Sequence, residues 1–314
     1  MNGTNETSCQ IPFTSDSSLA TGFRVRAALG RGRPHVFLVD TGSVGILVPR
    51  HALGPDYQDV NPSLDVEFGY ISNGNVYHGQ WVKVPVVLGV PASWDGTGDF
   101  PIAQIEVFAV DQPANFNGGV FGIGFAIGGL ADGGPARNPL LRVKYMDLPV
   151  SAGYIVSTNG IEVGPNPLGT EGFAFIDLQR HAVGDDWMQP SGSIQLAEDS
   201  STDHFDADLP FLMDTGISEM ILWVSKNDDP LNLPSHQAFP RGITANVSAP
   251  PANWPVEPAL QYSFVTGDTS QPMAPSQVEW RVGHGINTGR RVLAGADYLY
   301  DSTAGRVGFR ATGV

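Results

Sequence analysis

Two aspartates in this chain stand in the same setting. The first sits in Val36-Phe37-Leu38-Val39-Asp40-Thr41-Gly42-Ser43, and the second, 174 residues on, in Leu209-Pro210-Phe211-Leu212-Met213-Asp214-Thr215-Gly216-Ile217-Ser218. Each acid ends an apolar run and opens the tripeptide Asp-Thr-Gly. Average residue usage places a given tripeptide on the order of 0.1 times in a chain of this length, so two copies in matched contexts point to a shared task. One copy alone reads as a turn whose Asp bonds nearby backbone. Two carboxyl groups forced within hydrogen-bonding distance cannot both ionise, and one proton is then shared between them. Such a pair supplies a general base and a general acid at one acidic pH. The ionised member deprotonates water while its protonated partner donates to a carbonyl oxygen, so that water attacks an amide directly. On this reading Asp40 and Asp214 are catalytic. Gly42 and Gly216 let backbone come close, the hydroxyls of Thr41 and Thr215 bridge to the opposite loop, and Ser43 and Ser218 support the site.

The elements that must position these acids are short strands. Phe23 to Leu29, Val36 to Val39, Leu64 to Tyr70, Val82 to Leu88, Ile105 to Val110 and Tyr154 to Ser157 are β-rich runs punctuated by Gly, Pro, Asn and Asp. Long amphipathic patterns are missing. A helix is expected near Pro139 to Tyr145 and a turn around Ser218 to Val224. Residues 1–20 are polar and read as an N-terminal arm, with structure beginning near Thr21. A Gly-, Asp- and Gln-rich stretch between Gly164 and Ser201 separates the two Asp-Thr-Gly segments, which divides the rest into related β lobes over 21–175 and 176–314.

Composition narrows the partners. A formal charge of −15 repels nucleic acid. Cys9 is the only cysteine, so neither an intrachain disulfide nor a thiolate zinc site is expected. The seven histidines (His35, His51, His78, His181, His204, His236, His284) show no metal-ligand spacing. No metal or cofactor is implied. No run has the length of a membrane span, and the opening Met1-Asn2-Gly3-Thr4-Asn5-Glu6-Thr7 lacks the regions of a signal peptide. The expectation is a monomer that is secreted with its leader removed, with a cytoplasmic location as the alternative.

Beyond the two acids, Asp40-Thr41-Gly42-Ser43-Val44-Gly45-Ile46-Leu47-Val48-Pro49 and Gly119-Val120-Phe121-Gly122-Ile123-Gly124-Phe125 carry a family likeness, as does the tail from Asp297-Tyr298-Leu299-Tyr300-Asp301 to Gly305-Arg306-Val307-Gly308-Phe309. In this order, across both halves, the chain resembles the pepsin-like aspartic proteases. The resemblance implies an all-β, bilobal fold with pseudo-twofold related lobes and a cleft between them. It implies aspartic-type endopeptidase activity on an extended polypeptide. Gly119 to Phe125 would complete a ψ-shaped active-site loop in the first lobe, with Val292-Leu293-Ala294-Gly295 as its counterpart in the second. A hairpin flap would cover the substrate over Val66 to Val82, with Ser72, Gly74, Tyr70 and Tyr77 as flap and substrate-binding candidates.

Three departures accompany the likeness. Ser72 stands where the family has its flap Tyr, and Leu47 where it has the Trp that bonds that Tyr. Ile217 replaces the Ser or Thr that bonds the outer oxygen of the second acid. The helix after the final Gly-Asp element is cut short at Asp297. These keep two alternatives open: a binding protein without ordinary protease activity, or acid-base chemistry of the same pair on a small molecule.

Overall fold

The computed structural model describes residues 8–61, 66–69, 75–125, 134–165, 169–182, 185–197, 208–225, 237–251 and 255–313. Strands dominate these residues; the longest helical segment is the 3-10 helix Arg290–Ala294, of 5 residues. Period-two burial explains the strands. In Val76–Leu88, Val82, Val84, Val86 and Leu88 are buried while the residues between them are not, and Ala103, Ile105 and Val107 repeat the pattern in Ile102–Gln112. Val44–Pro49 is buried at every position, as a β-branched strand covered on both faces must be.

Among the described residues three sheets result, of six, ten and eight strands. In the ten-stranded sheet the neighbours run Ile102–Gln112, Val44–Pro49, Val120–Ile123, His35–Asp40, Arg24–Leu29, Val76–Leu88. In the eight-stranded sheet they run Val278–Val282, Met220–Val224, Gly285–Asn287, Leu209–Leu212, Ser191–Ala197, Thr244–Ala249. Along both series the pairings are parallel, antiparallel, parallel, antiparallel, antiparallel. The chain also visits the positions of both series in the same order. Each Asp-Thr-Gly therefore follows an interior strand with hydrogen-bonded neighbours on both sides, which leaves its end little freedom.

The six-stranded sheet joins the two series. Its neighbours are Cys9–Pro12, Gly160–Val163, Gly153–Ser157, Ala296–Asp301, Arg306–Ala311 and Ala174–Asp177, all antiparallel. The last of these strands spans the 175/176 division. Buried side chains of all three sheets form one continuous core, including Ile11, Phe37, Val39, Tyr154, Phe211, Met213 and Tyr300.

Several local expectations change. Ordered structure starts earlier than Thr21, because Cys9 and Ile11 bury one face of a four-residue strand too short to show periodicity. Pro139 to Tyr145 is not one helix. Asn138 accepts from the Leu140 N–H and caps the 3-10 helix Pro139–Arg142, after which Val143 pairs with Ala103 in the strand Val143–Tyr145. Ser218 to Val224 is mostly strand, since Met220, Ile221, Leu222 and Val224 are all buried. Val292 to Gly295 belongs to the helical turn Arg290–Ala294 and its cap, not to a strand like Val120–Ile123. Among the described residues no helix is long and apolar enough to cross a membrane.

Candidate active site

Buried Phe37 and Val39 fix the strand that ends in Asp40, and buried Phe211 and Met213 hold the segment that delivers Asp214. Beyond each acid the chain turns back on it. The Gly42 N–H donates to Asp40 Oδ1 at 2.7 Å, and the Gly216 N–H donates to Asp214 Oδ1 at the same distance.

The two turns then cross. Thr41 Oγ1 donates to the Met213 carbonyl (2.5 Å) and accepts from the Thr215 N–H (2.9 Å). Thr215 Oγ1 donates to the Val39 carbonyl (2.8 Å) and accepts from the Thr41 N–H (3.1 Å). Both threonines are buried, at 2% and 0% exposure, so these bonds are shielded from water. The arrangement is the bridge expected from the two Thr hydroxyls, made in both directions.

Glycine is required at the next position by space. A Cβ on Gly42 would stand 2.4 Å from the Asp214 carboxyl carbon and from its Oδ2. A Cβ on Gly216 would stand 2.6 Å from Asp40 Oδ1 and 3.0 Å from Asp214 Oδ1. Each acid thus lies against the backbone of the other's turn, and the two carboxyl groups come within hydrogen-bonding reach of one another. Burial, and then the charge of Asp214, push the Asp40 carboxyl well above the ordinary carboxylate range.

The outer oxygens are held differently. Ser43 Oγ donates to Asp40 Oδ2 at 2.6 Å. Ser218 does not do the same for Asp214: its hydroxyl donates to Glu219 Oε2 at 3.1 Å and accepts from Ser276 Oγ at 3.2 Å. One residue too far along the chain, it turns toward the strand that follows. The donor to Asp214 Oδ2 is instead Asn287 Nδ2, at 2.7 Å, from a side chain only 3% exposed.

Sequence reasoning missed Asn287, and strand register explains why. Val120 lies opposite both Leu38 and Leu47, and Asn287 lies opposite both Leu212 and Ile221, positions equally spaced from Asp40 and Asp214. Asn287-Thr288-Gly289 is therefore the counterpart of Val120-Phe121-Gly122. A search for an apolar pair before Gly passes over it. Arg290 was also missed: its Nη1 donates to the Thr215 carbonyl (3.2 Å) and its Nε to the Leu19 carbonyl (3.0 Å), which ties the early chain to the second turn.

Of the flap candidates, Tyr70, Ser72 and Gly74 lie outside the described residues. Tyr77, opposite Phe68, is half-buried and packs with Phe116 and Val120 against the cluster of Leu47, Phe108 and Val110. Its ring meets Phe116 edge-on at 5.1 Å. Among the described residues no group of three or more His, Cys, Asp and Glu side chains could hold a metal ion. Comparison with protein-family models and with curated proteins returns no match.

Proposed function

We propose that the protein is an aspartic endopeptidase in which Asp40 and Asp214 activate one water molecule against a peptide carbonyl. The observation that carries this reading is the crossed pair of threonine bridges, which brings two acids from distant segments together with a glycine backbone behind each. A raised Asp40 carboxyl beside Asp214 is what a proton-sharing pair requires, and it favours work at acidic pH. The repeated six-strand order supports a bilobal, pepsin-like arrangement with the pair where the two series meet. The substrate is an extended polypeptide, bound by backbone pairing and side-chain pockets.

Ile217 and the missing flap Tyr are the motives for a reading without proteolysis. Asn287 supplies the donor that Ile217 lacks, which weakens the first of these motives; Ser72 lies outside the described residues. The test is cleavage of an acid-unfolded protein between pH 3 and 7. Wild type cleaves, and both Asp40→Asn and Asp214→Asn lose at least a hundredfold in rate; activity that survives either substitution refutes the assignment.

A further inference from the structure

The two acids are supported by an exchange of residue types. Ser43 follows Asp40 by three positions and bonds its outer oxygen, and Val120 is the apolar neighbour on the paired strand. Around Asp214 the polarity is swapped: position 217 is the apolar Ile and position 287 the polar Asn, which now makes the bond. The exchange leaves the number of donors unchanged and alters their kind. A serine hydroxyl both donates and accepts, so it can face a carboxylate or the O–H of a carboxylic acid. An amide NH2 group only donates, so a proton on the oxygen facing it would oppose that bond, and the bond is stronger to a carboxylate than to a neutral acid protonated on its other oxygen.

The amide cannot be turned round. Asn287 Oδ1 accepts from the Gly289 N–H at 3.0 Å, and a backbone N–H cannot face an NH2 group. Asp214 also receives the Gly216 N–H on its other oxygen. Its outer oxygen therefore faces a donor that bonds the ionised form most strongly and cannot accept a proton placed on that oxygen, whereas the outer oxygen of Asp40 faces a hydroxyl that can donate to the carboxylate or accept from the acid.

We propose that Asn287 is a positioning residue that keeps Asp214 the ionised member of the pair, so that the shared proton resides on Asp40. Asp214 is then the base that takes the proton from water, and Asp40 the acid that donates to the carbonyl oxygen. The direction in which burial and the Asp214 charge move Asp40 agrees with this. The other charged groups around the pair do not reverse it. Arg290, bonded to the Thr215 carbonyl, is attracted to Asp214 and favours its negative charge, and Glu219, bonded to Ser218, draws on the same arginine.

This inference rests on the proton-sharing pair of the proposed function, and its test reads protons rather than turnover. Protein labelled with 13C at the aspartate carboxyl carbons is titrated by NMR, with the two signals assigned through Asp40→Asn and Asp214→Asn. In the wild type Asp214 ionises first. In Asn287→Val that first ionisation rises by roughly one pH unit, the scale of losing one hydrogen bond to the charged form. Adding Ile217→Ser to Asn287→Val rebuilds around Asp214 the arrangement seen around Asp40. It brings the first ionisation back down and divides it between the two acids. Should Asn287→Val fail to fold, the double variant against wild type still decides, because only the wild type shows Asp214 ionising alone. Asp40 ionising first in the wild type, or a first ionisation indifferent to residue 287, overturns the proposal. Cleavage is assayed alongside. A wild type that titrates as stated but cleaves nothing refutes the protease reading and upholds the proton placement.

Discussion

The threonine bridges can be tested without any reference to catalysis. Thr41→Val keeps the side-chain shape and removes one hydroxyl. In the folded protein that hydroxyl serves two groups, the Met213 carbonyl and the Thr215 N–H, both contributed by the opposite turn. Met213 and Thr215 are 3% and 0% exposed, so water cannot replace the lost partner. A buried polar group left without a bond costs roughly 1–3 kcal/mol, and two such groups put the loss at roughly 2–6 kcal/mol of unfolding free energy. Thr41→Ser keeps the hydroxyl and loses one methyl, worth about 0.8 kcal/mol. Urea unfolding followed by tryptophan fluorescence separates the two variants. A cycle with Thr215→Val adds a second check. Once one hydroxyl is gone the turns no longer hold each other, so the double variant falls short of the sum by roughly 1–3 kcal/mol. If Thr41→Val is as stable as Thr41→Ser, or the two valine substitutions simply add, the crossed bridges do not hold the turns together.

Other expectations follow from the same geometry. Gly42→Ala and Gly216→Ala drive a methyl into the opposing carboxyl group; each lowers stability by roughly 1–3 kcal/mol in thermal melts and, on the proposed function, abolishes cleavage, and a Gly42→Ala variant as stable as wild type would contradict the packing described. The folded protein holds the Asp40 proton more tightly than the unfolded chain, whose carboxyl sits at 3.8. That contribution is full below the unfolded value and is lost as pH rises through the folded one, so the share of stability due to Asp40 declines on going from acid toward neutrality, and the difference between wild type and Asp40→Asn in unfolding free energy changes with pH accordingly. Asn138→Leu takes donors from the Ile123 and Gly124 carbonyls, at 2.7 and 3.2 Å, and the cap from Leu140; a loss of roughly 2–4 kcal/mol by urea unfolding is expected.

What was legible in the sequence was whatever depends on short-range pattern. Apolar runs marked the first-half strands Arg24–Leu29, His35–Asp40, Val76–Leu88, Ile102–Gln112 and Gly153–Ser157, and Asp-Thr-Gly marked both turns, because a strand end, a bridging hydroxyl and an absent side chain are each demanded of a fixed residue. Three kinds of feature were hidden. The strand Cys9–Pro12 is defined by its partner Gly160–Val163 rather than by its own four residues. The segment from Pro139 carries helix-compatible side chains, yet its last residues are drawn into a sheet by pairing with Ile102–Gln112. Asn287 could be found only by register, since nothing near it in the chain says that it faces an acid 73 residues earlier. The signal that existed was negative: an apolar residue at 217, where position 43 is polar, leaves one carboxylate oxygen in want of a donor.

The crossed bridges also bear on how the molecule can move. Four hydrogen bonds at one spot, each running from one turn to the other, make that spot a fulcrum. If the two large sheets rock against each other to admit a ligand, displacement is smallest at the acids and grows with distance from them. The spacing of the two acids then stays constant while the remote edges of the sheets part or approach, as the arms of a pair of scissors move about a fixed pin.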